Sequence, residues 1–205
     1  MTDYVELPSA EGKSLLANTA ISLGYEKPLG NVIARAACWL EDRSLPGVSQ
    51  AISYMMLTQN LNYQDRKKQT LGNGGIRIHS PAWGAVLFCE LMDDLELDHR
   101  IAIYGPVAPL LMVPMIAFKA AESQKAVRMR FLGEEITMAD SGVWISNTAG
   151  DIYRLDPGAH HPTSIDLVEI DTLDNSKRTY EYKKLDKVKF PKFRVREKNI
   201  LYLGA

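Results

Sequence analysis

The chain has 205 residues, a formal net charge of −1 and a hydrophobic fraction of 46%, values typical of one soluble globular domain with ample core. No basic-then-apolar secretion signal opens it. The longest apolar run, residues 107–118 (VAPLLMVPMIAF), is too short to span a bilayer and carries Pro109 and Pro114, so it reads as a buried core element. Two cysteines, Cys38 and Cys89, lie in apolar helical patterns and read as reduced core thiols, which places the chain in the cytoplasm by expectation.

The first motif met is Gly12-Lys13-Ser14, the ending of a phosphate-binding loop. That loop needs a glycine at the position taken here by Leu7, followed by backbone N–H groups, and Pro8 has none to offer. No strand-like run precedes it. The alternative is a helix capped by Ser9, with Leu15, Leu16, Ala20 and Leu23 on one face and Gly24 as its stop. A second helix is expected from Leu29 to Arg43, with Val32, Ile33, Ala36, Ala37 and Leu40 inward, ended by Leu45-Pro46-Gly47. A third, Gln50 to Leu57, carries Ile52, Met55 and Met56. The polar stretch from Thr58 to Gly75 has no periodicity and is expected to be a mobile loop or lobe connection. Ser80-Pro81 has the form of an N-cap followed by proline, starting a helix expected to reach Leu95 on a Trp83, Leu87, Leu91 and Leu95 stripe.

The second half alternates as strands do. AVRMRFLGEEITMA places Val127, Met129 and Phe131 on one face and turns near Gly133, and GVWIS, DIYRL, SIDLVEI, RTYEYKK and FRVREKNILYL continue the series. Helices first and strands afterwards predict an α+β fold, N-terminal helices packed on a mostly antiparallel C-terminal sheet. The expectation is one domain over residues 1–205, divisible into a mainly helical lobe, 1–100, and a mainly strand lobe, 101–205.

The segment LLANTAISLGYEKPLGNVIARAACWLEDRSLPGV resembles the start of the bacterial domain-of-unknown-function family 3726. The shared pattern is an alanine-rich helix (Ala17, Ala20), Gly24, a short link ending in Gly (here Leu29-Gly30, where the family has an aromatic residue), and a second helix ending in Trp39-Leu40 before Gly47. YGPVAPLLMVP, from residue 104, and the closing Leu203-Gly204-Ala205 are similar to the family's middle and end. The resemblance implies a fold boundary and no reaction.

The segment LGNGGIRIHSPAWG, residues 71–84, carries the best candidate chemistry. Gly72, Gly74 and Gly75 permit tight turns. Arg77 and His79 have the spacing of one strand face. Ser80 and the helix start supply N–H groups and a positive dipole end. An anionic metabolite is the expected ligand, with Gly74, Gly75, Arg77 and Ser80 binding it and His79 moving a proton. The bland reading is a glycine loop entering a capped helix.

Other clusters carry less. Glu90, Asp93 and Asp94 fall at i, i+3 and i+4 on the same expected helix, with His99 beyond its end, a spacing that suits Mg²⁺ or Mn²⁺, but an acidic solvated face is commoner and no metal site is assigned. His160-His161 falls short of a zinc ligand set. Cys89 reads as an inert packing residue. Trp39, Trp83, Trp144 and Tyr104 read as core anchors. From residue 177 to 198 there are ten Lys or Arg and three acids, leaving fourteen basic residues and twenty-two acids elsewhere. The aromatics of that stretch, Tyr180, Tyr182, Phe190 and Phe193, would suit stacking, but its alternation is that of a solvated strand face, so neither nucleic acid nor membrane is the expected partner. The favoured function is a small-molecule enzyme or enzyme subunit, cofactor unknown. The alternative is a non-catalytic assembly protein that pairs its acidic and basic surfaces, and a homo-oligomer is expected.

Overall fold

The computed structural model describes residues 4–62, 69–70, 76–97, 99–131, 133–146, 162–168, 182–187 and 193–196. It is an α+β fold with the helices leading. Strand β1 (Tyr4–Leu7) comes first, then helices α1 (Ser9–Ser22), α2 (Lys27–Glu41) and α3 (Gly47–Thr58). Short strands β2 (Gln69–Thr70) and β3 (Ile76–Arg77) lead to α4 (Pro81–Leu91) and β4 (Arg100–Tyr104). A 3-10 turn (Pro109–Met112) feeds α5 (Val113–Glu122). Strands β5 (Ala126–Phe131), β6 (Glu134–Ala139), β7 (Gly142–Ser146), β8 (Pro162–Val168), β9 (Tyr182–Lys184) and β10 (Phe193–Arg196) follow.

The main sheet runs β2-β3-β4-β8-β5-β6-β7-β9. Its body, β4-β8-β5-β6-β7, is antiparallel throughout. The exception is β3, which joins β4 in parallel at Arg77 opposite Tyr104. The expected alternation in β5 holds, since Val127, Met129 and Phe131 are buried. With Ile136, Met138 and Ile165 they form the inner face, which shares one core with Ile33, Leu40, Met55, Met112 and Ile116. The apolar run 107–118 is part of this core, except Phe118 at its end, which is 73% exposed.

Gly24 follows the end of α1 as read from sequence, whereas Gly47, read with Leu45 and Pro46 as the stop of the second helix, is the first residue of α3, and α2 already ends at Glu41. Gly24 takes φ +81°, and Tyr25 N donates to Ala20 O at 3.0 Å, the hydrogen-bond pattern of a left-handed helix end. At Gly47 the reason is space. A Cβ there would lie 2.1 Å from Ala37 O, so α2 and α3 approach as only glycine allows. Glu41 Oε1 accepts from Val48 N at 2.8 Å and serves the first turn of α3 in place of a cap side chain.

Four expectations are corrected. Ser9 does not cap α1; it is the first helical residue, Pro8 holds the cap position, and no side-chain cap bond forms there. A strand does precede that helix, since β1 pairs antiparallel with β10, Glu6 opposite Arg194. The phosphate loop is still excluded, because Gly12 N already donates to Pro8 O at 2.9 Å and Ser14 Oγ to Ala10 O at 3.0 Å inside the helix. Helix α4 stops at Leu91, short of Leu95. Its buried face is Ala82, Ala85 and Phe88, with Met92 beyond its end, whereas Trp83 and Leu91 are exposed. The helix is apolar on every side, so its sequence did not mark which face turns inward.

Candidate functional site

The outward face of the main sheet is set by the parity of β4. Ile101 and Ile103 point toward the core, so Arg100, Ala102 and Tyr104 project the other way, and all three are exposed. Tyr104 is 60% exposed, which corrects its reading as a core anchor. Bridge partners share a face, so Arg77 stands beside Tyr104 on the neighbouring strand.

Across β8 and β5 the same face carries an ion-pair network. Arg128 Nη2 and Nε reach Asp166 Oδ2 at 2.5 and 3.0 Å, and Arg130 Nη1 reaches Asp166 Oδ1 at 2.7 Å. Arg130 Nε also donates to Glu135 Oε2 at 3.0 Å. The register dictates the cluster, with Arg128 opposite Asp166 and Arg130 opposite Glu135. Two carboxylates thus neutralise two arginines. Arg77 and Arg100 take part in no ion pair among the described residues.

Arg77 is half-buried, and its Nε is buried with no hydrogen-bond partner. An unmatched buried donor costs about 1–3 kcal/mol. His79 follows where the strand has ended. It is only 9% exposed, and its carbonyl accepts from Val107 N at 3.1 Å. The backbone link from Ile78 N to Tyr104 O, 3.1 Å, holds this segment against β4. Ser80 is fully buried and caps α4, its Oγ accepting from Trp83 N at 3.4 Å. The structure therefore brings Arg77, His79 and Ser80 into one segment but separates their roles. Arg77 shares a face with an exposed aromatic ring, while Ser80 spends its oxygen on its own helix. Gly72, Gly74 and Gly75 lie outside the described residues, as do His160, His161 and most of the polar stretch after Asn62.

The expected helix does not carry the whole acidic cluster: α4 ends at Leu91, so Glu90 lies in it while Asp93 and Asp94 follow its end. Asp93 Oδ2 pairs with Lys119 Nζ at 3.0 Å, and Lys125 Nζ bonds the carbonyls of Met92 and Asp93 at 2.6 and 3.0 Å. His99 lies 3.6 Å from Glu96 in an exposed pair. Among the described residues no group of three His, Cys, Asp or Glu side chains is placed to hold a metal. Both thiols are free, and burial pushes each one's pKa up, Cys89 to about 11. A protonated, desolvated thiol is a poor nucleophile. Trp39 and Trp144 are half-buried, each with a cation over its ring, Arg43 at 3.6 Å and Lys184 at 5.7 Å.

Sequence reasoning missed Tyr104 and the arginine network. The signal for Tyr104 was present in RIAIY, whose alternation puts Arg100 and Tyr104 on one face. No local signal pairs Arg128 with Asp166, which are joined only by the register of β5 on β8.

The fold and this face define an α+β protein with a cationic, partly aromatic outer sheet surface, and no described helix is long and apolar enough to cross a membrane. The chain has no match among protein-family models, curated proteins or solved structures.

Proposed function

We propose that this protein binds an anionic small molecule at Arg77, as an enzyme or an enzyme subunit. The observation that carries the reading is the Arg77 Nε, a buried donor without an acceptor on a face where, among the described residues, Arg77 and Arg100 make no ion pair. A carboxylate or phosphate oxygen would satisfy that donor in the forked geometry arginine favours. Gly74, Gly75 and Ser80 belong to the same proposal as binding residues. His79 is its proton donor, and turnover would require this nearly closed side chain to be reached by substrate. The two free thiols suit a reducing compartment such as the cytoplasm.

Thermal denaturation with and without millimolar phosphate or citrate tests the reading. Binding to the folded state raises the midpoint by mass action. The rise is expected in the natural chain and absent in Arg77→Ala. A midpoint that no anion moves, or a rise that survives Arg77→Ala, sinks it.

Self-association is a second reading, and what favours it is apolar rather than charged surface. A shallow groove of about 180 Å³ runs between α2, α4 and α5, lined by Leu29, Val32, Trp83, Val86 and Met115. Trp83 is 39% exposed within it. A second copy of the chain is the occupant this reading proposes. Light scattering then gives a dimer that dissociates on Trp83→Glu and resists salt, whereas an assembly held by the acidic and basic surfaces weakens with salt.

A further inference from the structure

We infer that the anion bound at Arg77 carries a planar aromatic ring, which stacks on Tyr104. This rests on the Arg77 reading above and adds the class of ligand to it. Arg77 and Tyr104 are paired across adjacent strands, so their side chains rise side by side from one sheet face. That spacing suits one molecule touching both, its charged group on the guanidinium and its ring on the phenol.

Three further observations point the same way. Tyr104 keeps 60% of its surface open, although its strand has a neighbour on each side, β3 and β8. Ala102, two residues before it on the same face, is small and exposed, so no bulky side chain covers the Tyr104 ring along the strand. Beyond Ala102 stands Arg100, exposed and in no ion pair among the described residues, since Asp166 opposite it on β8 is held by Arg128 and Arg130. An aromatic ring beside an arginine that makes no ion pair, with a second arginine further along the same face, recognises a π-face and an anion together. A bare inorganic anion would leave the ring unused. An uncharged aromatic would leave the buried Arg77 Nε unsatisfied.

Titration calorimetry on the full chain separates these cases with four probes. Adenosine 5′-monophosphate is compared with inorganic phosphate, and benzoate with acetate. The expected result is that at least one ring-bearing probe binds about ten-fold or more tightly than its ringless counterpart, and which pair shows the gain tells a phosphate ligand from a carboxylate one. Tyr104→Ala removes the gain and leaves the affinity for the ringless anion unchanged. Tyr104→Phe, which keeps the ring, retains the gain. Arg77→Ala loses all of the binding. Equal affinities within both pairs, or a gain that survives Tyr104→Ala, overturn the inference while the Arg77 reading stands. Binding that persists in Arg77→Ala, or no binding by any probe, overturns both.

Discussion

Arg128 and Asp166 face each other across the β5–β8 ladder, and the carboxylate is shared with Arg130, so one acid holds two arginines of the same strand. Asp166 is buried, whereas both arginines keep about a third of their side-chain surface. Replacing Asp166 by Ala leaves two partly desolvated cations with only Glu135 between them. A fully buried pair broken this way costs roughly 3–5 kcal/mol. Solvent reaches these arginines, so about 2 kcal/mol is expected. Urea denaturation of Asp166→Ala reads the value, and a change below about 0.5 kcal/mol would show that solvent already screens the cluster.

The face of α4 is open to a paired test. Phe88 is fully buried and Leu91 is more than a third exposed. Phe88→Ala is expected to cost about 3–5 kcal/mol through lost burial and a cavity. Leu91→Ala should stay below about 1 kcal/mol, as exposed substitutions do. The opposite ranking in chemical denaturation would restore the Leu91 stripe.

Gly47 sits where α3 begins against the backbone of Ala37. A methyl group there cannot be met by a rotamer change, because the obstacle is a carbonyl oxygen. Gly47→Ala is expected to destabilise by about 3 kcal/mol or more, toward the upper end of overpacking. Its urea midpoint measures this, and a normal midpoint would mean that the two helices can separate cheaply.

Ser80 offers a smaller effect with a defined origin. Ser80→Ala removes the acceptor of the Trp83 N–H and should cost about 1 kcal/mol. Ser80→Thr keeps a hydroxyl as the cap acceptor and is expected to recover part of the loss. Thermal melts of the two variants decide whether the hydroxyl caps the helix or is only a space filler.

Cys89 provides the pH prediction. Burial is the main cause that lifts its pKa from the ordinary 9.0 to about 11. The folded chain therefore holds this proton more tightly than the unfolded chain does. The resulting stability is fully present below about pH 9 and is lost as the pH rises toward 11. Labelling by a thiol reagent at pH 8 should be slow in the folded protein and fast in urea. Rapid labelling of Cys89 at pH 8 under native conditions would contradict the burial.

Much of the fold was legible in local patterns. Gly24 ended helix α1 as punctuation should, and the alternation of Val127, Met129 and Phe131 fixed the inner face of β5, whereas Pro46-Gly47 opens α3 and α2 has already ended at Glu41. Strand β1 escaped notice because Tyr4-Val5-Glu6-Leu7 is too short to show a period and its partner is β10, near the other end of the sequence. The buried side of α4 escaped because a helix apolar all round carries no moment to read. At the candidate site Arg77 and Ser80 were readable, Ser80 through its position before Pro81. The pairing of Arg77 with Tyr104 was not, since it depends on a single parallel bridge between segments separated by α4.

The β1–β10 ribbon has a consequence for the order of assembly. Its two strands join residues 4–7 to residues 193–196, so the ribbon cannot close until nearly all of the intervening chain has been made. Helices α1 to α3 pack through contacts close in sequence and can form early, because near neighbours pay little loop-closure entropy. The ribbon behaves as a late latch beside α3. Truncating the last strand should therefore leave the early helical contacts in place while slowing or loosening the final closure, and stopped-flow folding with probes on both parts would resolve the two steps.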